Sequence, residues 1–245
     1  ISRLISTSTH AEALVGRAVR TVVGLTPAEL DDATAIGWVL DPTKNPQLGG
    51  ALNLTAHGKL TRALVHVHYT FQKKLSHAAD SQDQRHRLTP ATRPVLMTHY
   101  VGGEPDIVIP PLVAEVDAAR ERLMTAMQQT FATIDALLDG GVAPESALYL
   151  LPNAFPIRFE QSGDLAAWRH KWTTRLCYTA QEEIWRASVD EVREVRKVHP
   201  LLGRHLEPPC GVRRDAGLRP FCPEGARYCG VPVWRQTPDD YVRRI

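Results

Sequence analysis

The sequence predicts an α/β fold of the α+β kind, in which a few strands sit among long helices. Three observations carry this. Residues 3–7, RLIST, and 66–72, HVHYTFQ, are short, alternating and rich in β-formers. Apolar groups at Leu112, Val116, Leu123, Met127, Phe131, Ile134 and Leu138 recur at helical spacing over 111–139. Leu165, Trp168, Trp172, Leu176, Ala180 and Ile184 do the same over a second long segment, from about Asp164 to Val198.

Taken in order, the first strand gives way to a helix whose start is marked by the capping-box spacing of Thr9 and Glu12 and whose stop is Gly24. A second helix is expected from Thr26, with Pro27 at its first position and Glu29 completing another box. After the HVHYTFQ strand, KKLSHAADSQDQRHR has the Ala, Gln and Lys content of a helix. It must halt before Pro90, because a residue preceding proline avoids the helical region. The 111–139 helix ends at Gly140 and Gly141, and ESALYLL forms a short helix stopped by Pro152. Beyond Pro200 the composition turns to Pro, Gly, Cys and Arg with little periodicity, so residues 201–245 read as a loop-rich extension packed on a domain of residues 1–200.

Composition narrows the function classes. A chain of 245 residues with 43% hydrophobic content can bury a sizeable core. Its 29 basic and 27 acidic residues leave a net charge of only +2, which argues against wholesale nucleic-acid binding and makes any anion recognition local. No apolar run nears the roughly 18 residues a membrane span needs, and the first residues lack the zones of a signal peptide, so a cytoplasmic location is expected.

Two stretches concentrate chemistry. In DSQDQRHRLTPATRP, residues 80–94, Arg85 and Arg87 flank His86 at the expected junction of helix and loop. Guanidinium groups stay charged and grip phosphate oxygens bidentately, which suits a ligand with several phosphates, and His86 can stack on or hydrogen-bond a ring. In RLCYTAQEEI, Arg175 precedes Gln181 and Glu183. On one continuous helix Arg175 and Gln181 would stand about 240° apart.

The residues and order of these stretches resemble the flavin-dependent thymidylate synthase family. Its hallmark Q-x-x-R-H-R-x-x-S is matched at Gln82, Arg85, His86 and Arg87, with Pro90 in the serine position. Thr92, Arg93 and Pro94 stand where a shortened S-x-R-Y would fall, LLPNAFPIRF is similar to the family's L-P-x-x-x-Y-T-R-F, and RLCYTAQEEI matches its R-x-x-x-x-A-Q-x-E-I. The opening residues and AHGKL also resemble the family, which extends the likeness over roughly residues 2–200.

The resemblance implies the family's mixed-sheet fold assembled as a homotetramer, with FAD and nucleotide sites between subunits. It implies that Arg85, His86 and Arg87 hold FAD, with Asp164 and His170 where the family has asparagines near the flavin, and that Gln82, Arg93 and Arg175 hold the pyrimidine nucleotide. On that reading Arg175→Ala weakens nucleotide binding and spares flavin. The implied reaction is reductive methylation at C5 of a uracil nucleotide, with methylenetetrahydrofolate as carbon donor and NADPH as reductant, and no protein nucleophile. Where the family has a nucleotide-binding arginine four residues before its L-P proline, this chain has Leu148, a loss worth about 1.5 to 3 kcal/mol of charge-assisted contact. Such departures resemble a divergent branch that methylates UMP or dUMP in polyoxin and other nucleoside-antibiotic pathways. A non-catalytic nucleotide- or RNA-binding protein with a zinc-stabilised tail is the alternative reading.

In the extension, His205, Cys210, Cys222 and Cys229 have the ligand types of a structural zinc site but not the C-x-x-C spacing of a standard one. Buried reduced thiols, a metal site and a disulfide are all open on this spacing.

Overall fold

Ser2–Thr7 forms the first strand, β1, in a computed structural model that describes residues 1–50 and 55–243. Helix α1, Ala11–Val23, follows, and Gly24 ends it in the left-handed conformation at φ 73°. Its start differs from the expected capping box. His10 is the N-cap residue, at φ 54°, and no side chain caps the helix. Glu12 is drawn off by tertiary structure, its Oε1 accepting the Leu201 N–H at 2.6 Å. At Thr26 the box does form, the Thr26 N–H and hydroxyl both donating to Glu29 Oε2, yet it yields only a turn. Asp31 is extended at ψ 166° and accepts the Thr34 N–H at 2.7 Å, so a stronger N-cap starts helix α2, Asp32–Leu40, five residues later than the spacing suggests.

Strand β2 runs His68–Ser76, and the residues before it, Thr61–His66, form a 3₁₀ turn. The sequence places Lys73–Ser76 in a helix, but Tyr69, Phe71, Lys73 and Leu75 alternate inward as one strand. A buried lysine hides that period. The helix then shrinks to α3, His77–Asp83, capped by Ser76. Strand β3 is Ala91–Thr92, and Leu96–His99 forms helix α4.

The long helix expected at 111–139 is broken. Pro111–Ala114 is α5, Val116 is extended at φ −120°, and α6 runs Asp117–Asp139. Only Phe131 and Ile134 of α6 are buried, while Leu112 and Val116 are exposed. Helix α7, Pro144–Ala147, leads into a 3₁₀ turn at Leu148–Leu150. Strand β4, Pro156–Asp164, has no counterpart in the sequence reading. Its inward positions Ile157, Phe159, Gln161 and Gly163 alternate, but the last two are polar or small and mask the pattern.

The second long helix also divides, into α8, Leu165–Arg175, and α9, Glu182–Val198. Gln181 is extended at ψ 134° and its Oε1 accepts the Ile184 N–H at 2.9 Å, so it begins a new helix. Short helices α10, Pro200–Gly203, and α11, Pro209–Asp215, complete the chain's α elements. Among the described residues no helix is long and apolar enough to cross a membrane.

The four strands lie in the order β1-β2-β4-β3. Each neighbouring pair is antiparallel, which corrects the mixed sheet that the resemblance implies. Bonds from Ser8 to His68 and Arg3 to Gln72, from Leu165 to Val67 and His77 to Phe155, and from Ser162 to Pro90 and Thr92 to Glu160 each advance on one strand as they retreat on the other.

Two compact units result. One comprises Ile1–Gln72, His86–Pro90 and Gln161–Ile245, the other Lys73–Arg85 and Ala91–Glu160. In the first, Trp168 stacks on Trp172 at 5.2 Å and meets the Phe71 ring edgewise at 5.0 Å. Leu202, Leu206, Val233 and Tyr241 of the extension are buried in the same core. In the second, Ile134, Ala147 and Leu148 form a small cluster under Tyr100 and Leu151.

Candidate active site

The 86–90 segment is pinned to the end of β4. Thr89 closes a turn, its N–H and hydroxyl both donating to the His86 carbonyl, at 3.1 and 3.0 Å. Gln161 donates its amide Nε2–H to the Thr89 carbonyl at 2.9 Å and to its hydroxyl at 3.1 Å, and the Ser162 N–H reaches the Pro90 carbonyl at 3.0 Å. Gly163 permits the approach, since a Cβ there would stand 3.0 Å from Thr89 Cγ2. Behind this, Lys171 donates from Nζ to Gln161 Oε1 at 2.6 Å and lies 5.1 Å from the Trp168 ring centroid. Lys171 and Gln161 are both fully buried, so the hydrogen bond and the facing ring offset part of the cost of enclosing the ammonium group.

Pinning the loop brings the two motifs together. Arg175 is the last residue of α8, and its Nε–H donates to His86 Nε2 at 2.8 Å. A neutral His86 therefore carries its proton on Nδ1, which leaves that edge as a donor. His170, one turn earlier on the helix, meets the His86 ring edgewise at 6.1 Å. Arg87 is exposed on the same loop. Asp164 caps α8, accepting the Ala167 N–H at 2.8 Å. Because α8 ends at Arg175, the angle drawn to Gln181 on a continuous helix does not apply.

In the other unit, Gln82 is half-buried on α3 and Arg85 is exposed just beyond it. Arg93 is held by acids. Its Nε is 2.9 Å from both oxygens of Asp80, its Nη2 is 3.8 Å from Asp83, and it stacks 4.7 Å over Phe159. Burial pushes the Asp80 carboxyl up and Arg93 pulls it back. That grip commits Arg93 at least partly to the fold. Lys73 faces Asp83 at 3.5 Å, with both side chains fully enclosed. Leu148, at 9% exposure, packs in the small apolar cluster, a site that an arginine side chain could occupy only by leaving it.

Sequence reasoning missed Gln161 and Lys171. The signal for Gln161 was the inward register of β4, which its polarity obscured, and for Lys171 the buried face of α8, where a lysine is unexpected.

Of the readings left open for the extension, a metal site made of His205, Cys210, Cys222 and Cys229 is not the set that the fold gathers. Cys210, Cys222 and Cys229 line one cavity, and the residue that joins them there is Cys177, not His205. All four cysteines are free thiols. His205 instead accepts the Arg204 Nε–H at 3.1 Å, and burial, reinforced by Arg204, drives its imidazole down to about 4 from the ordinary 6.5. Below pH 6.5 the unfolded chain takes up a proton that the fold refuses. This contribution to stability is therefore complete above pH 6.5, declines as the pH falls towards 4 and then levels. Urea midpoints measured across that range should fall with acidification, and His205→Gln should flatten the slope.

Residues 3–201 match the family model described as thymidylate synthase complementing protein. A flavin-dependent thymidylate synthase of Geobacter sulfurreducens is 32% identical over 170 residues, covering 68% of this chain and 70% of that protein. One from Nitratidesulfovibrio vulgaris is 33% identical over 186 residues, 71% and 72% of the two chains. A third, from Sulfurisphaera tokodaii, is 32% identical over 157 residues, 62% of this chain and 59% of its own. With both arginine motifs inside the matched region and His86 bonded to Arg175, the chain belongs to the thymidylate synthase complementing protein family, that of the flavin-dependent thymidylate synthases.

Proposed function

We propose that the chain catalyses FAD-dependent reductive C5-methylation of a uracil nucleotide, UMP or dUMP, in a homotetramer located in the cytoplasm. The observation that carries this reading is the 2.8 Å bond from Arg175 to His86, which makes one structure of the motif for the flavin and the motif for the nucleotide. The residues fit a flavin dinucleotide. Arg85 and Arg87 are exposed guanidinium groups of the kind that grips phosphate oxygens, and the His86 imidazole is of a kind that packs against a flavin ring. When bound, FAD reduced by NADPH supplies the hydride and methylenetetrahydrofolate the one-carbon unit.

The protein's own contribution is placement. Arg175 orients His86 while presenting charge towards a nucleotide phosphate, His170 flanks the same ring, and the Lys171–Gln161–Thr89 chain keeps the loop from drifting. Gln82 supplies amide donors and acceptors of the kind a uracil edge needs. The chemistry is assigned to residues 1–200 and a structural role to the extension at 201–245. Leu148 and Pro90, where the family has arginine and serine, favour a specialised branch, such as one serving nucleoside-antibiotic synthesis, over a housekeeping enzyme.

The purified protein should carry flavin absorbance, or gain it on reconstitution. It should release the C5 hydrogen of UMP or dUMP and form the methylated product when given methylenetetrahydrofolate and NADPH. A protein that binds no FAD and leaves C5 unexchanged in both nucleotides would overturn the assignment. Relative turnover of UMP and dUMP then decides the branch.

A further inference from the structure

All four cysteines of the chain, far apart in sequence, meet at one cavity. Cys177 comes from the turn after α8, Cys210 from the first turn of α11, and Cys222 and Cys229 from the irregular segment beyond it. The remaining wall mixes prolines with Tyr178, Tyr228, Val231 and Val233 and the polar Thr179 and Glu224. Each cysteine is half-buried and none is in a disulfide.

We propose that Cys177, Cys210, Cys222 and Cys229 form a structural zinc site that clamps the extension to the turn following Arg175. Four cysteines lining one small cavity offer the donor types of a closed tetrahedral zinc centre. A disulfide would satisfy two of them and strand the others, whereas one divalent ion satisfies all four. Among the described residues no set of three or more His, Cys, Asp or Glu side chains is already gathered to hold a metal ion. The ion therefore completes the site by drawing the thiols inward, each losing its proton to solvent as its sulfur ligates, which couples binding to local folding.

The need for such a clamp is physical. From Gly217 to Arg243 the chain has no regular element longer than a 3₁₀ turn, so few backbone bonds hold it. Its anchors, Val233 and Tyr241, are separated by loops whose closure entropy a cross-link at Cys222 and Cys229 removes. The fourth ligand explains why the sequence did not disclose the site. Without a C-x-x-C pair, and with Cys177 in a different element, no spacing rule joins the four.

The test is metal content and spectroscopy on the full chain, whether or not flavin is bound. The protein as purified should contain about one zinc per chain. Cobalt replacement should give tetrahedral d–d bands and a strong thiolate-to-cobalt charge-transfer band. Zinc should slow reaction of the thiols with a disulfide reagent by about tenfold or more. Cys222→Ser should cut the charge-transfer intensity by about a quarter, while His205→Ala leaves it unchanged. Absence of the band, with all four thiols reacting equally fast with and without zinc, overturns the proposal, as does a disulfide between any two of them in protein purified under mild reducing conditions. If Cys222→Ser does not fold, the wild-type cobalt spectrum and thiol protection decide alone.

Discussion

Arg175→Ala is expected to weaken the binding of UMP or dUMP by about 1.5 to 3 kcal/mol, roughly ten- to a hundredfold, because one charge-assisted contact is lost. The resemblance alone implied that flavin would be spared. The structure changes that expectation, since the same guanidinium donates to His86 at 2.8 Å. Without it, His86 loses a hydrogen-bond partner at Nε2, so FAD affinity should fall as well, by about tenfold for one oriented hydrogen bond. Calorimetric titration of wild type and variant with FAD, and then with nucleotide on the flavin-loaded protein, separates the two effects. Unchanged FAD affinity would show that the bond to His86 orients nothing of consequence, and unchanged nucleotide affinity would remove Arg175 from the nucleotide site. Arg175→Lys is expected to recover charge without recovering the Nε–H geometry, and so to restore nucleotide binding more than flavin binding.

Trp172→Ala should be the most damaging single change to stability. The indole is completely buried, stacks on Trp168 at 5.2 Å, meets the rings of Tyr69 and Phe71 at 6.1 Å, and donates from Nε1 to Glu191 at 2.8 Å. Emptying that volume costs about 3 to 5 kcal/mol, and the buried Glu191 carboxylate keeps the Ser2 hydroxyl at 3.0 Å but loses its indole donor. For a chain of this size the melting temperature should drop by roughly 10 °C or more. Trp172→Phe retains most of the packing and loses only the N–H, so it should fall well between wild type and alanine. Equal losses for the two variants would mean that the hydrogen bond, not the packed volume, dominates at this position.

The comparison of sequence with structure is instructive at particular elements. The motif residues themselves were legible through the order in which Gln82, Arg85, His86, Arg87 and Arg175 match the family's motifs, not through their charge alone. Helix interiors were legible too, and the apolar stripe through Trp168 and Trp172 is the core of α8. Boundaries failed where tertiary contacts outbid local spacing. Glu12 left its capping box for Leu201, Asp31 displaced Thr26 as a helix start, and Gln181 opened a helix where periodicity ran straight through. The sheet was half hidden, because β2 and β4 bury Lys73, Gln161 and Gly163 at positions where a period-two reading looks for apolar residues. At the site, the loop that carries His86 was foreseen, but the buried polar chain that fastens it was not. Pairing between remote segments leaves no local trace in composition.

That chain has an evolutionary implication. Lys171 and Gln161 sit on a helix and a strand with no room for water between them, and each supplies what the other needs. Losing Lys171 takes a donor from Gln161 Oε1, whereas losing Gln161 also releases Thr89, so an apolar pair at the two positions would unfasten the loop that carries His86. Lineages descending from this enzyme should thus keep an amide at 161 for as long as the loop must be held, with glycine retained at 163 for as long as Thr89 presses against it.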